Sequence, residues 1–511
     1  MKKLNNYLYA SLFLLGSATV SCTAGFLDAT DQSIVSSDDE KEMEDKYPEQ
    51  QVKIIGAKLQ AIYGSLIRPV VGIPGDFGIP SVNHITDVMT DDIALHTRGN
   101  GFFTFDYSLE YWWGGHARGH QIWLFYYSII SQSNEVLNRI SVDTNLAELR
   151  AMQGQAYALR GYAYSQLVQL FQQTYVGHEN APGCPIYLSK NETGEVLGRA
   201  SLARVYEQID HDFKKSLALL DGWKKGSDLP IQIDQSVAAG LYARVCLVKN
   251  DWQAAADYAR MARETSSAVL MTNAEVANDG FNSIYNKEWM WGVDITAETS
   301  LGGNRTLTSF LCASDAGYGG DLGCYRKIDA KLFAQFSASD ARRKQFKDPK
   351  GSYAGKIATF PNYTNLKFKK VQGWEADYVY MRLSEMYLIE AEAYAQMRNY
   401  EKAAQVLAPY MATRDPSWSK TAVAVEEIYL NRRMELWGEG FALFDHLRLK
   451  KGINRLYTGS NHLPSAQFNV VAGSWYFLFQ ISNRELENNA YISVSDQNPN
   501  PNKEDMQTTN N

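Results

Sequence analysis

The sequence predicts a mainly α-helical protein: tetratricopeptide-like helix pairs form a scaffold, and a loop-rich, mixed layer is inserted among them. Three observations point there. Two distant segments, "GLYARVCLVKNDWQAAADYARMA" and "YLIEAEAYAQMRNYEKAAQVLAPYM", share one pattern: Ala243, Cys246, Trp252 and Ala255 match Ala391, Tyr394, Tyr400 and Ala403 at identical offsets. Each reads as a helix, a short Asn-containing turn and a second helix whose small residues permit close packing. Two further stretches, "LAELRAMQGQAYALRGYAYSQLVQLF" and "LARVYEQIDHDFKKSLALL", carry long helical patterns that can cover the exposed faces of the pairs. The region from about 270 to 376 is instead rich in Gly, Asn, Ser and aromatics, with one alternating stretch, "EWMWGVDI", that reads as a strand. Loops held by a rigid scaffold are where binding residues concentrate.

In chain order, Lys2 and Lys3 precede the apolar run "YLYASLFLLGSATV", which is too short to span a bilayer and reads as an export signal over residues 1–21. The run ends at Ser21-Cys22, a small residue before a cysteine, as in bacterial lipoprotein signals. Thr19 departs from the leucine usual in such signals. Cys22 is therefore the expected lipidation site. Residues 22–50 are polar and acidic and read as a flexible tether. Residues 51–495 form one large domain with no dividing linker, and 496–511, "DQNPNPNKEDMQTTNN", read as a polar tail outside the fold.

The stretch "NRRMELWGEGFALFDHLRL", Asn431 to Leu449, mixes charged and large apolar side chains. Leu430, Met434, Trp437, Phe441, Phe444 and Leu447 recur at helical spacing, which predicts an amphipathic helix that breaks or bends at Gly440. Glu435 and Glu439 invite a glycosidase reading, but carboxylates one helical turn apart point the same way. Flanking a scissile bond takes carboxylates about 5 to 9 Å apart, usually on different elements. A structural ion network is the expectation here.

The net charge of −7 argues against a nucleic-acid partner, which calls for a basic face. Cys312 and Cys324 bracket a loop that a disulfide could staple, an option the sequence leaves open. "HITDVMTDDIALH" holds His84, Asp87, Asp91, Asp92 and His96, but the spacing fits neither a zinc nor a calcium pattern. Turn and helix-cap roles are expected for these aspartates, with no metal and no cofactor.

Several segments together resemble the SusD/RagB family of bacterial outer-membrane lipoproteins. "YVYMRLSEMYLIEAEAYA" and "NRRMELWGEGFALFDHLRL" are similar to its signature helices, and "YFLFQISNRELENNAYISVSDQNP" to its closing segment. "WLFYYSIISQSNEVLNRI" matches a family helix through Trp123, Tyr127, Ile130, Asn134 and Leu137, and "CTAGFLD" resembles the start of the mature chain. Ser482 stands where the closing motif usually has proline, and Phe441-Ala442-Leu443 lacks a basic residue common after the Glu-Gly. The resemblance implies a SusD-like fold without catalytic activity, anchored in the outer membrane and facing the cell surface. It implies capture of oligosaccharides or polysaccharides, or in some branches peptides, for delivery to a SusC-type TonB-dependent transporter. A glycoside hydrolase and a pure protein-protein scaffold remain as rival readings.

A pyranose ring has apolar C–H faces and a rim of hydroxyls, so a glycan site wants a flat aromatic platform beside polar side chains. In "GFFTFDYSLEYWWGGHARGHQIW", Tyr111, Trp112 and Trp113 precede Gly114-Gly115, which predicts a loop before the matched helix with at least one ring in solvent. Trp112 or Trp113 is the expected platform. "SDAGYGGDLGCYRK" offers Tyr318 and Tyr325, with Asp315, Asp321 and Arg98 as hydrogen-bonding candidates.

Overall fold

The computed structural model describes residues 48–97, 103–226, 231–300, 311, 323–369, 371 and 374–508. The chain forms two units, Met1–Ile54 and Ile55–Asn511. Of the first, only the opening turns of helix α1 (Pro48–Ser65) are described, so the signal segment, Cys22 and most of the expected tether lie outside the described residues. No helix among the described residues is long and apolar enough to cross a membrane.

The second unit is mainly helical, as the repeats predict. After α2 (Ile79–Val88) come α3 (Ala117–Arg139), α4 (Ala147–Phe171), α5 (Leu202–Leu219), α6 (Gln235–Val248) and α7 (Trp252–Thr265). They are followed by α8 (Leu383–Gln396), α9 (Tyr400–Arg414), α10 (Val425–Glu435) and α11 (Ala442–Arg448). Packing follows the order α3 on α4 on α5 and α6 on α7 on α8 on α9, so each pair covers the next. The two repeats turn alike. Asn250 and Arg398, at equivalent positions, adopt left-handed φ values of 58° and 61°. Asp251 and Asn399, one residue later, cap α7 and α9 by accepting from Ala254 N and Lys402 N. α4 is buried almost all round. Its Gly161 brings the backbone so close to α5 that a Cβ there would lie 3.1 Å from the Phe213 ring.

Short antiparallel ladders tie the irregular layer to this scaffold. β1 (Ile93–Leu95) pairs with β3 (Arg326–Ile328), and β2 (Trp289–Val293), inside the predicted strand, pairs with β4 (Tyr378–Arg382), which leads directly into α8. β5 (Ile453–Asn454), β6 (Phe468–Val470) and β7 (Met506–Thr508) form a third sheet. The expectation of a tail outside the fold is thereby corrected. β7 completes that sheet, and Asn498 is buried with its amide donating to Phe171 O and Phe479 O. Polar composition hid this, because main-chain ladders and amide side chains satisfy polar residues without apolar burial.

The Asn431–Leu449 stretch breaks rather than bends. α10 ends at Glu435, and Gly438 and Gly440 take φ values of 80° and 89° in the turn before α11. From α2, Asp87 accepts from Gly440 N at 2.8 Å and Ala442 N at 3.2 Å, capping α11 across the sequence. Burial pushes the Asp87 carboxyl up to about 8. Glu435 and Glu439 therefore do not share a helix face. They meet in a buried ion network: Arg382 reaches Glu288 at 2.8 Å and Glu435 and Glu439 at 2.7 Å each. Arg414 joins Glu288 at 2.7 Å and Glu435 at 2.8 Å, Lys367 pairs with Glu439, and Arg342 lies between Asp340 and Glu435. Burial raises the Glu435 carboxyl, but Arg414 and Arg382 outweigh it and hold the group well below the usual carboxylate range. Arg432 pairs with Asp445, not with Glu435, and Asp445 also pairs with Arg448. Glu435→Gln leaves buried guanidinium groups uncompensated and is expected to cost about 3 to 5 kcal/mol of stability in chemical denaturation.

Candidate functional site

The aromatic trio lies in irregular chain just before α3, as predicted. His116 caps that helix, its Nδ1 accepting from Arg118 N at 3.1 Å. The cap also organises rings. Tyr111 stacks on His116 with centroids 3.4 Å apart and on Phe105 at 4.9 Å, while Trp113 meets His116 edge-on at 6.1 Å. Trp113 is 47% exposed and Phe105 37%, whereas Tyr111 and Trp112 are half-buried. The Trp113 ring lies over Gly115, where a Cβ would come within 2.0 Å of it, so the loop needs glycine there. Burial keeps the His116 pKa below its ordinary value, and the ring stacks as a neutral imidazole at pH 7.

The closing segment of the chain grips this loop. Gln480 N donates to Trp112 O at 2.7 Å, Gly114 N to Gln480 Oε1 at 3.0 Å, and Asn483 N to Gly114 O at 2.9 Å. Ser482, in the place of the usual proline, caps the short helix Asn483–Asn488 and its hydroxyl lies 3.2 Å from His120 Nδ1. Beneath the loop, Arg118 pairs in bidentate fashion with Asp106 and donates to Gln121, all three buried. The platform thus stands on a helix start, fixed from both sides.

Tyr325 occupies a second cluster, its ring 5.9 Å from His96 and 5.2 Å from Phe360. Arg98, Asp315, Tyr318 and Asp321 lie outside the described residues, as does Cys312 of the suggested disulfide; Cys324 is buried. The described ends nevertheless adjoin. His96 N donates to Tyr325 O at 3.0 Å and Thr97 Oγ1 to Gly323 O at 3.4 Å, at one edge of the β1–β3 ladder.

Further along α3, a groove of about 840 Å³ runs past Leu124, Tyr127 and Tyr187, with Glu485 also on its wall. Tyr127 and Tyr187 meet edge-to-face at 5.7 Å. His116, Phe105 and Tyr187 were not picked out from the sequence. A histidine after Gly-Gly at a helix start and the alternation in "FFTFDY" were signals for the first two, and Tyr187 gave none. The five residues of "HITDVMTDDIALH" go to different partners. His84 accepts from Arg326 Nε, Asp87 caps α11, Asp91 and Asp92 engage Arg433 and His446, and His96 packs on Tyr325.

The fold is thus a scaffold of helix pairs with an exposed aromatic loop at the start of α3. Residues 57–247 match the family model SusD-like_3, described as "Starch-binding associating with outer membrane", and residues 335–502 match SusD_RagB, the SusD family. The chain belongs to the SusD/RagB family. Among solved structures it is similar to a SusD-like carbohydrate binding protein from Bacteroides vulgatus at 25% identity and a TM-score of 0.73, covering 87% of this chain and 98% of that one. A SusD superfamily protein from Bacteroides thetaiotaomicron gives 22% identity and 0.72, covering 88% and 100%. Surface glycan-binding protein A from Bacteroides thetaiotaomicron, in complex with laminarihexaose, gives 17% and 0.65, covering 86% and 98%. No curated protein matches the chain.

If His116 organises the rings, His116→Ala is expected to raise acrylamide quenching of tryptophan fluorescence while costing only about 1 kcal/mol of stability through the lost cap.

Proposed function

We propose that the protein captures glycan chains at the cell surface and delivers them to a SusC-type TonB-dependent transporter, held in the outer membrane by a lipid on Cys22. The observation that carries the glycan reading is Trp113, a large ring left half in solvent yet fixed over Gly115. A ring so held offers a C–H-binding face with little ordering cost. Tyr111 and Phe105 extend the apolar surface beside it. Arg98, Asp315, Asp321, Tyr318 and Tyr325 are proposed to supply hydroxyl contacts and further rings, and Trp112 to back the platform. The family's outer-membrane description and the glycan-binding names of similar structures support this reading.

We assign no catalysis to Glu435 and Glu439. Both are buried and spent on Arg382, Arg414 and Lys367, which leaves neither placed to deliver a proton to a substrate. Titration calorimetry against polysaccharides, oligosaccharides and peptides tests the assignment. One glycan class is expected to give saturable heat without turnover, and Trp113→Ala to weaken it by at least about tenfold, roughly 1.4 kcal/mol. Heat from peptides alone would overturn the glycan reading. Growth with a fatty-acid analogue is expected to label the wild type and not Cys22→Ala; an unlabelled wild type would exclude the anchor.

A further inference from the structure

A second cavity, of about 610 Å³, opens on the other side of the closing segment. Its walls come from the chain just after α4, the chain just after α11, and the stretch holding Trp475. It shares no lining residue with the aromatic loop.

Its charge is unlike that of the protein as a whole. The chain carries a net charge of −7, yet the cavity is lined by Arg199, Lys450, Lys451, His178 and His446 and by no carboxylate among the described residues. The carboxylates nearest these groups are already engaged. Glu426 holds Lys451 at 2.6 Å, Asp91 holds His446 at 3.0 Å, and Glu179, near His178 and Lys450, accepts from Gly177 N at 3.0 Å. Arg199 donates only to main-chain carbonyls, those of Pro182, Gly183 and Asp496, so its charge is bonded to no carboxylate. Lys450 is exposed, makes no direct ion pair among the described residues although Glu179 lies near it, and takes a left-handed φ of 52° at the end of α11. A concave, partly desolvated space whose charged lining is entirely basic favours an anion.

The remaining lining selects the anion's carrier. Trp475 is half-buried in a turn that Ser474 caps, Tyr476 N donating to Ser474 Oγ at 3.3 Å. Gln173, Thr174 and Asn498 bring amide and hydroxyl groups to the same space, and Gln173 Nε2 donates to Gly473 O at 2.9 Å, fixing the turn beside Trp475. An indole beside amides suits a sugar ring, and cations beside the indole suit a charged one. We propose that this cavity is a second binding site, taking a saccharide that bears a carboxylate or a sulfate. Trp475 packs on the ring, Lys450 meets the anion, and Arg199 and Lys451 supply field. This assignment does not depend on the ligand of the aromatic loop.

The experiment is calorimetry on the full chain in detergent, with a galacturonic acid tetrasaccharide, a sulfated galactan tetrasaccharide that bears no carboxylate, and a neutral cellotetraose. At least one acidic probe is expected to bind, and which one tells carboxylate from sulfate. Lys450→Glu and Trp475→Ala are each expected to weaken it by at least about tenfold, with Trp113→Ala without effect. Raising NaCl from about 50 to about 300 mM is expected to weaken it several-fold. Lys450 is exposed, so Lys450→Glu is expected to keep the wild-type melting temperature and to read binding alone. The proposal is overturned if neither acidic probe binds, if binding survives Lys450→Glu, or if Trp113→Ala abolishes it.

Discussion

Four cations and four carboxylates buried together hold the parts of this protein to one another. Arg382 comes from the end of β4, Arg414 from the end of α9, Glu435 from the end of α10 and Glu439 from the turn after it. Glu288, Asp340, Arg342 and Lys367 come from the irregular layer. The two charge types balance, so the cluster is neutral as a set and costly in any part. Removing such groups from water costs several kcal/mol each, and only the complete arrangement repays it. The loop-rich layer cannot leave the helical scaffold without exposing or stranding these charges. The network thus gives a layer with little regular structure a fixed place.

That fixed frame positions the loops proposed to carry ligand contacts. α3 and the closing segment bracket the aromatic loop through main-chain bonds at Trp112 and Gly114, which do not depend on which side chains the loop displays. Ring identity can vary while position is kept. The same closing segment links the platform to the cationic cavity: Gln497 exchanges two hydrogen bonds of 2.8 Å with the Ile481 main chain, and Gln480 Nε2 donates to Asn498 O at 2.9 Å.

What the sequence revealed was local. The repeat fixed the helix pairs because the turn positions, Asn250 with Asp251 and Arg398 with Asn399, are set by neighbours a few residues away. The exposed Trp113 was legible because three bulky rings in a row before Gly-Gly cannot all face one core. Gly438 and Gly440 marked the break, but not the cap that starts α11, since that comes from Asp87, more than 300 residues earlier. Tyr187 and the β7 strand failed for the same reason: their partners, Tyr127 and β6, are brought near only by the fold. Arg432 pairs with Asp445, while Glu435, nearer in sequence, is taken up by Arg382 and Arg414.

The account rests on a ligand lying against the ring at the head of α3. A crystal structure of the protein with the glycan that gives saturable heat tests this most directly. The account predicts a sugar ring stacked on Trp113, with Tyr111 and Phe105 alongside and hydroxyl contacts reaching the Tyr325 edge of the β1–β3 ladder. A glycan bound elsewhere, with Trp113 still in solvent, would contradict it.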